Sequence, residues 1–460
     1  MKIAILGGGL AGVTAAYELA RLRKAGAPIH ATLFEANSRL GGIIETIHQN
    51  NFTIECGPDG WLTEKPWARE LAEELGLATQ PSLDAQRKTY LLSADKKLVP
   101  MPDGMRLMVP TNLSAIEQSP LLSETAKQAY RDEPARAAEL RAQAPSSDES
   151  VASFVRRHFG DEVTRTFAAP LLAGVFGGDV ETLSVRAVMP ALVAMEHEHG
   201  SLITALAASG TKPAPKNANA APIFTTLRDG MGSLIDAMAA HLHDVRLQTP
   251  VIVLERNAAL WRVHFADQTE EFDAVILATP SNATRALLRN IDAEAAELLP
   301  REASSAAIVA LAFAEDIPLP AGFGFLAPAN TGSQLLACTF THQKFSGRVP
   351  AGSSLLRAFF SGEQWMQATD DELIALAHKE LSAILGPLPA PTIQIARRMP
   401  HSLPQYAVGH LERIAALHAR VPKGLRLIGN AYTGVGIPDL IREARRAAHD
   451  CHTVLKRAEG

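Results

Sequence analysis

Three glycines and one acid near the start of the chain have the spacing of a nucleotide-binding turn. Gly7, Gly9 and Gly12 directly follow the apolar run Lys2–Leu6, and Glu35 ends the next apolar run. In a G-x-G-x-x-G pattern the first glycine permits a tight turn, the second lets the backbone approach a pyrophosphate, and the third lets helix and strand pack closely. The acid would accept hydrogen bonds from ribose hydroxyls. Together they predict a dinucleotide site; the alternative is a glycine-rich structural turn with an incidental acid.

A second group of residues, just after this acid, favours one dinucleotide over another. The run 35–42 contains the basic residue Arg39 and the glycine pair Gly41 and Gly42. This extension resembles one shared by flavin enzymes of the amine oxidase, phytoene desaturase and porphyrinogen oxidase superfamily. It favours FAD over NAD. The alternative is a surface loop with a solvated arginine.

A third glycine-containing stretch lies near the C-terminus. In 427–439, Gly434 and Gly436 stand between an apolar strand and a helix for which Pro438 suits the first turn. The start of such a helix directs N–H groups and positive potential at a bound anion. In a flavoenzyme that anion would be the reduced isoalloxazine ring. The alternative is a structural turn that binds nothing.

A parallel sheet is needed to bring these residues together. The sequence predicts the strand Lys2–Leu6, a helix over 11–24 and a strand over 29–35, which form a βαβ unit. A strand over 425–428 and a helix from 437 return to the same pattern. The predicted fold class is therefore α/β, with a Rossmann-like FAD-binding domain assembled from discontinuous segments and α+β character in the insertions.

The chain between these ends predicts two inserted regions. Residues 100–210 are predicted to be mostly helical, and the Pro- and Asn-rich segment 211–221 is predicted to be an exposed linker. Further strands are predicted at 246–254, 260–266, 273–278, 304–314 and 355–360. We therefore expect an FAD-binding domain (1–86, 225–283 and 403–460), a mixed-sheet substrate-binding domain (87–99, 211–224 and 284–402) and a helical domain (100–210).

Composition narrows the class of protein. A chain of 460 residues with 47% apolar and 20% charged residues predicts a folded protein of two or three domains. The net charge of -5 argues against a nucleic acid partner. Cys56, Cys338 and Cys451 lie far apart, which favours a reducing cytoplasm, and no residues have metal-ligand spacing. Because no segment reaches the roughly 20 apolar residues of a membrane span, any membrane contact is expected to be peripheral.

Segments along nearly the whole chain resemble one family, the protoporphyrinogen and coproporphyrinogen oxidases. The segments that carry this resemblance are ECGPDG from Glu55, ESVASFVRRHFGDEV and APLLAGVFGGDVETLSVRAVMP between Glu149 and Pro190, FTTLRDGMGSLIDAM from Phe224, GFGFLAP from Gly322, SLPQYAVGHLERI from Ser402 and GNAYTGVGIPDLI from Gly429. Their combination is far more specific than the glycine pattern alone.

The resemblance implies which residues bind ligands. For FAD these are Gly7, Gly9, Leu10, Ala11, Gly12, Glu35, Ala36, Arg39, Gly41, Gly42, Ile43, Gly57, Pro58, Asp59, Gly60, Val251, Val435, Gly436 and Ile437. For the substrate, in a cleft between the strand-rich and helical domains, they are Gly174, Phe323, Leu326 and Phe359. Each of these apolar side chains is, taken alone, typical of ordinary core.

One departure from the family concerns the substrate's carboxylates. Some members have an arginine that pairs with a substrate propionate where this chain has Thr89. Arg87 or Lys88 substitutes for it, or both are solvated surface charges. The choice between a two-propionate and a four-propionate substrate therefore stays open.

The resemblance also implies a reaction. Hydrogen is removed from protoporphyrinogen IX or coproporphyrinogen III by hydride transfer to flavin N5, and oxygen reoxidises the flavin to give hydrogen peroxide. No protein residue is assigned as catalytic. The alternatives are an oxidase or desaturase of another apolar or amine substrate, and a non-catalytic FAD-binding protein.

The family also suggests an assembly and a location. A homodimer and a cytoplasmic protein whose helical domain contacts the cytoplasmic membrane are expected from it. The run 105–110 is interpreted as an apolar entry lip or as a buried helix edge.

Overall fold

The computed structural model describes residues 1–83, 87–208 and 222–459, without the side chains of 454–459. The predicted linker 211–221 lies outside the described residues, as do Gln86 and the predicted boundaries at 86 and 211.

A five-stranded parallel sheet collects strands from distant parts of the chain. Its order is Val245–Arg246, His30–Phe34, Lys2–Leu6, Ala274–Leu277 and Leu425–Leu427. The predicted return of the last strand to the first unit is thereby confirmed, and with it the α/β fold class. Lys2–Leu6 is apolar almost throughout because both faces of the sheet are covered.

Helices cover both faces of this sheet. Ile3 and Ile5 pack with the helices Leu10–Lys24, Gly232–Ala239 and Ile437–Glu459. Ala4 and Leu6 lie in a second core cluster on the other face, to which three further helices contribute: Ser281–Arg289, Ala293–Leu298 and His410–Arg420. The first of these helices spans the predicted domain boundary at 283 and the second follows it, yet both pack on the nucleotide-binding sheet.

A seven-stranded mixed sheet forms the second layer of the fold. Its order is Ile393–Pro404, Ala303–Phe313, Ser354–Ser361, Ala337–Phe340, Gly324–Leu326, Thr89–Leu92 and Leu98–Pro100. Side chains alternate between its faces. Leu356, Ala358 and Phe360 pack in one core cluster with residues of the helix Asp370–Leu385. Arg357 and Phe359 therefore point to the opposite face, where Leu355 packs against Phe52 and Ile54.

The helical region follows the strand Leu98–Pro100 and precedes the strand Phe224–Leu227 along the chain, and it is mostly helical, as predicted. Its helices are Leu113–Glu117, Glu124–Asp132, Ala137–Gln143, Val151–Val163, Ala169–Phe176, Val185–Val188, Pro190–His199 and Leu202–Ala208, with a π-helical turn at Thr164–Ala168. Ser123, Ser150 and Ser184 begin three of them, because each side chain accepts a hydrogen bond from the amide three residues later. Among the described residues, no helix combines the length and apolar character that crossing a bilayer requires.

Smaller elements connect the layers. They are the strands Thr46–Gln49, Phe52–Glu55, Trp61–Leu62, Thr79–Pro81, Phe224–Leu227, Val253–Asn257, Leu260–His264 and Thr269–Phe272, and the helices Trp67–Glu74 and Thr341–Lys344.

Two local predictions are corrected by the structure. The single strand expected at 246–254 is interrupted, because Gln248 adopts a left-handed conformation (φ 53°) and Thr249 N–H donates to the Glu35 carbonyl (2.9 Å). The run 105–110 is a hairpin of Met105–Arg106 and Val109–Pro110, not a helix edge. Leu107 at its turn is 42% exposed, whereas Met108 and Val109 are buried.

A buried ionic network ties the helical region together. The His158 ring lies between two carboxylates, with Nδ1 2.9 Å from Glu133 Oε1 and Nε2 3.0 Å from Glu196 Oε1. Arg157 bonds the same Glu196 oxygen (2.8 Å) and Glu149 (2.6 Å). Burial would lower the pKa of His158, but the hydrogen bonds to both carboxylates outweigh burial and raise that pKa. The network therefore favours the charged form of this buried imidazole.

His158→Gln should destabilise the fold by roughly 3 kcal/mol at pH 6, because it removes one partner from a buried charged pair. A histidine whose folded pKa is raised stabilises fully below its unfolded pKa, about 6.5, and loses that contribution as the pH rises through the folded value. The difference in urea unfolding free energy between wild type and variant should therefore narrow toward pH 9. His197→Gln, at an exposed histidine nearby, is the matched control. Equal losses of unfolding free energy in His158→Gln and His197→Gln would show that the buried ion pairs of His158 add nothing to stability.

Candidate flavin and substrate site

The glycine turn has the geometry that its spacing predicts. Gly7 adopts φ 108° and its N–H donates to the Phe34 carbonyl (2.8 Å). A Cβ on Gly12 would lie 1.8 Å from the Gly7 oxygen, so helix and strand can only pack this closely with glycine there. A Cβ on Gly9, by contrast, would meet no heavy atom within 4 Å. The chain thus leaves room at Gly9 for a ligand to approach the backbone.

The helix that follows the turn presents its amides toward the same place. It begins at Leu10, and Val13 N–H donates to the Gly9 carbonyl at 3.0 Å. Amides of the first turn, those of Leu10 and Ala11 included, have no intrahelical acceptor. They supply the donors and the positive helix end that a pyrophosphate requires.

Glu35 lies directly against the turn. Its Oε2 accepts the Gly8 N–H at 2.6 Å, and its Oε1 accepts the backbone and side-chain N–H groups of Asn37 at 2.8 and 2.6 Å. The carboxylate is thereby fixed at the end of the second strand. Ala36 beside it is exposed, and Val251 is partly buried two residues after Thr249, whose amide donates to the Glu35 carbonyl.

Arg39 shapes the loop 39–44 beside the turn, which we call the flavin loop because the sequence predicts FAD there. Its guanidinium donates to the carbonyls of Gly42 (2.6 Å) and Ile44 (2.9 Å), and Gly41 N–H donates to the Gly8 carbonyl (2.8 Å). Gly42 and Ile43 are exposed in the loop that these bonds hold. Arg39 is predicted to bind a ligand, but its guanidinium donates these hydrogen bonds to carbonyls of its own loop.

The segment 57–60 runs from this loop to the mixed sheet. A Cβ on Gly57 would lie 1.8 Å from the Ile43 oxygen, and one on Gly60 would lie 2.5 Å from the Thr225 oxygen. Pro58, between them in sequence, is partly buried. The segment is therefore pressed between the flavin loop and the strand Phe224–Leu227.

Asp59 is the charged residue of this segment. Its carboxylate lies 2.9 Å from Lys344 Nζ and 3.0 Å from Arg357 Nη1, and Arg357 also donates to the Gly57 carbonyl. Burial alone would raise the pKa of Asp59, but these two cations outweigh burial and hold that pKa below its usual range. Asp59 is therefore an anion at neutral pH and does not serve as a proton donor.

The C-terminal glycine segment is held by the PQY-x-x-GH motif. Tyr406 OH donates to the Asn430 carbonyl (2.7 Å) and accepts the Gly434 N–H (3.0 Å). The Tyr406 and His410 rings stack with their centres 3.9 Å apart. His410 Nε2 lies 2.7 Å from the backbone carbonyl oxygen of Tyr432. The motif, which carried part of the resemblance, thus fixes the loop that leads into the last helix.

The start of the last helix already carries an ion pair. Asp439 Oδ2 would lie 3.2 Å from a Cβ on Gly436 and is 2.6 Å from Lys65 Nζ. Val435 packs against the helical-region core, and Ile437 is buried in the nucleotide-domain core. The positive potential of this helix end is therefore partly offset by the Asp439 carboxylate.

Three of the four predicted substrate residues come together on the face of the mixed sheet that carries Arg357, where Leu326 packs against the helical-region core. A Cβ on Gly174 would be 3.7 Å from Leu326 Cδ2. Leu326 pairs with Ala337, which pairs in turn with Phe359, so the three share a face. Phe323 lies elsewhere on the cleft, 6.2 Å from the Phe224 ring.

The two basic residues predicted near the substrate lie at the edge of this region. The Lys88 side chain is exposed, and its carbonyl accepts the Phe323 N–H (2.8 Å). Arg87 is partly buried, and Thr89 pairs with Gly324. The structure thus brings the backbone at Lys88 next to Phe323.

Sequence reasoning missed Lys344, Arg357 and Phe224. Arg357 had a visible signal, because a charged residue inside the apolar strand Ser354–Ser361 is rarely buried without a partner. Lys344 and Phe224 had none.

The donor set and the room at Gly9 fit a dinucleotide, and comparison with known proteins identifies its kind. The model of the flavin containing amine oxidoreductase family matches residues 10–452, so the chain belongs to that family. The predicted FAD cofactor and oxidoreductase class are confirmed.

Within this family, the predicted membership of the porphyrinogen oxidases is confirmed. The chain is 31% identical to coproporphyrinogen III oxidase of Bacillus subtilis, over 98% of each chain. It is 28% identical to human protoporphyrinogen oxidase, over 97% of each chain. A crystal structure from Exiguobacterium that carries the name of a protoporphyrinogen oxidase superposes with a TM-score of 0.86, at 28% identity and over 98% of each chain. The assignment of individual residues to FAD and substrate stays a prediction.

Proposed function

We propose that the chain is an oxygen-dependent FAD oxidase that converts coproporphyrinogen III to coproporphyrin III in haem biosynthesis. The observation that carries this proposal is the full-length identity to a coproporphyrinogen III oxidase, in a chain whose glycine turn leaves room for a dinucleotide. Protoporphyrinogen IX is the second candidate substrate, favoured by the similarity to the human enzyme.

Bound FAD would supply the redox chemistry, accepting hydride at N5 and passing the electrons to oxygen to give hydrogen peroxide. The protein would bind and orient. We assign the pyrophosphate to the turn at Gly7 to Gly12, the ribose to Glu35, and the flavin ring to Gly57, Pro58 and Asp59 together with Val435, Gly436 and Ile437.

The substrate ring would lie on the face of the mixed sheet that carries Arg357, against Leu326 and Phe359 and below Gly174. Apolar side chains there exclude water and favour the apolar surface of a large tetrapyrrole macrocycle over a small amine. Asp59, paired with two cations, supplies a fixed negative charge in the site.

The proposal extends to organisation and location. We retain the division into an FAD-binding, a substrate-binding and a helical domain. We also propose a cytoplasmic enzyme, in agreement with three buried free cysteines, with peripheral contact of the helical domain at the membrane and a homodimeric assembly.

Purified yellow protein should turn over coproporphyrinogen III in air, with porphyrin fluorescence and hydrogen peroxide rising together. We expect kcat/KM to be at least about tenfold higher for coproporphyrinogen III than for protoporphyrinogen IX, because two additional carboxylates contribute binding. Apoprotein at the same concentration is the control. Turnover of neither porphyrinogen by FAD-loaded protein would refute the function, and turnover of amines instead would favour the amine oxidase alternative.

A further inference from the structure

Five charged side chains form a buried cluster between the flavin loop and the mixed sheet. They are Glu55, Asp59, Lys344, Arg348 and Arg357, with exposed fractions between 1% and 13%. Arg348 Nη1 lies 3.4 Å from Glu55 Oε1, and Asp59 bridges Lys344 and Arg357. We call this group the cationic cluster.

The cationic cluster contains three cations and two carboxylates. Asp229, the next carboxylate that acts on Arg348, is exposed to solvent. Within the described chain, two buried N–H groups of the cluster make no hydrogen bond: Arg357 Nε, and Arg348 Nη1, whose contact with Glu55 at 3.4 Å is an ion pair only. Because a buried charge without a counter-charge is strongly unfavourable, the cluster is completed best by an anion from outside the chain.

Lys344 is the member best placed to meet that anion. Arg348 and Arg357 are 1% and 2% exposed, and both donate to backbone carbonyls, of Leu227 and Gly57. Lys344 is 11% exposed, and its ammonium, which has three donors, contacts the two oxygens of Asp59 at 2.9 and 3.0 Å. One donor is left for a ligand.

The surroundings of Lys344 are apolar and aromatic. Its ammonium lies 4.4 Å from the centre of the Phe224 ring, which is 6.2 Å from Phe323. Leu62, paired with Phe224 across the small sheet, is 44% exposed. Arg357, on the other side of Asp59, lies 5.2 Å from the Phe359 ring. A ligand that fits here has a large apolar surface and a carboxylate at its edge.

We propose that the ammonium of Lys344 binds a propionate carboxylate of the substrate and completes the charge balance of the cationic cluster. Arg348 and Arg357 are positioning residues that hold Glu55 and Asp59 in place. This inference rests on the proposed porphyrinogen substrate. Lys344 would then take the role of the propionate-binding arginine that some family members have at the position of Thr89.

The test compares wild type, Lys344→Met and Lys344→Arg with coproporphyrinogen III and with its tetramethyl ester in detergent. Lys344→Met should raise KM for the free acid, lowering kcat/KM by about tenfold or more, with kcat changed less than about twofold. Lys344→Arg should restore most of the affinity. With the ester, wild type and Lys344→Met should agree within about twofold, because no carboxylate is present to bind.

Lys97→Met, at a lysine whose side chain is 78% exposed, is the matched control and should leave both substrates unaffected. FAD content and melting temperature are measured on every variant. An unchanged KM in Lys344→Met would overturn the inference. An equal loss with acid and ester would also overturn it, and would assign the cation to the flavin or to the fold. A wild type that oxidises neither compound would instead refute the proposed function itself.

Discussion

Gly9→Ala should give a folded, colourless protein that no longer retains FAD. Gly9 has φ -70° and ψ 178°, which any residue adopts, and a Cβ there meets no heavy atom of the chain within 4 Å. The methyl group would instead occupy the space through which the pyrophosphate approaches the backbone. If overpacking reduces the binding free energy of FAD by ~3 kcal/mol, the Kd for FAD becomes about 100-fold weaker. Titration of apoprotein with FAD, followed by flavin fluorescence, measures this Kd.

Gly12→Ala is the contrasting substitution in the same turn. Its Cβ would lie 1.8 Å from the Gly7 oxygen, so the apoprotein itself should lose stability. Melting temperatures of the two apoproteins therefore separate the two roles: Gly9→Ala should match wild-type apoprotein, and Gly12→Ala should melt lower. Wild-type affinity for FAD in Gly9→Ala would show that the dinucleotide does not approach this turn.

Arg357→Met should lower the free energy of unfolding by roughly 3 kcal/mol at pH 7, as urea denaturation of the FAD-loaded protein would show. Methionine retains much of the volume, but it leaves the Gly57 carbonyl without this donor and Asp59 without a cation at 3.0 Å. A carboxylate whose folded pKa is depressed stabilises above its unfolded pKa and loses that contribution as the pH falls through the folded value. The gap between wild type and variant should therefore narrow below about pH 4.

Arg262→Met provides the matched control for this substitution. Arg262 is 38% exposed and pairs with Glu271 at 3.1 Å on the surface, where such a pair contributes at most about 1 kcal/mol. Similar losses in both variants would mean that Arg357 contributes no more than a surface charge.

Elements with a strong local signal were predictable from the sequence. The strand Lys2–Leu6 is apolar because it is covered on both faces. Gly12 is required by its contact with Gly7 in the same short turn, and Gly7 by its φ of 108° and by the Ala278 carbonyl, 2.6 Å from where its Cβ would lie. The return of Leu425–Leu427 to the first sheet followed from a repeated strand, glycine turn and helix. In each case the sequence signal is local, although the helices that cover the first strand and the carbonyl that faces Gly7 come from distant parts of the chain.

Features that depend on long-range contacts or on a single backbone angle were not predictable. Lys344 bonds Asp59 from 285 positions away, and nothing around Lys344 marks that pairing. The interrupted strand at 246–254 depends on one left-handed residue, Gln248, whose neighbours still show strand-like patterning. His158 likewise reads as an ordinary helix residue until Glu133 and Glu196 are folded against it.

The most direct test of the central claim is a single turnover without oxygen. FAD-loaded protein is mixed anaerobically with coproporphyrinogen III while flavin absorbance and porphyrin fluorescence are followed, and air is then admitted. We expect the yellow flavin colour to be lost on mixing with substrate and to return, with hydrogen peroxide, on aeration, and coproporphyrin to form over repeated cycles. A flavin that stays oxidised in the presence of this substrate, in protein shown to be folded and FAD-loaded, would contradict the central claim.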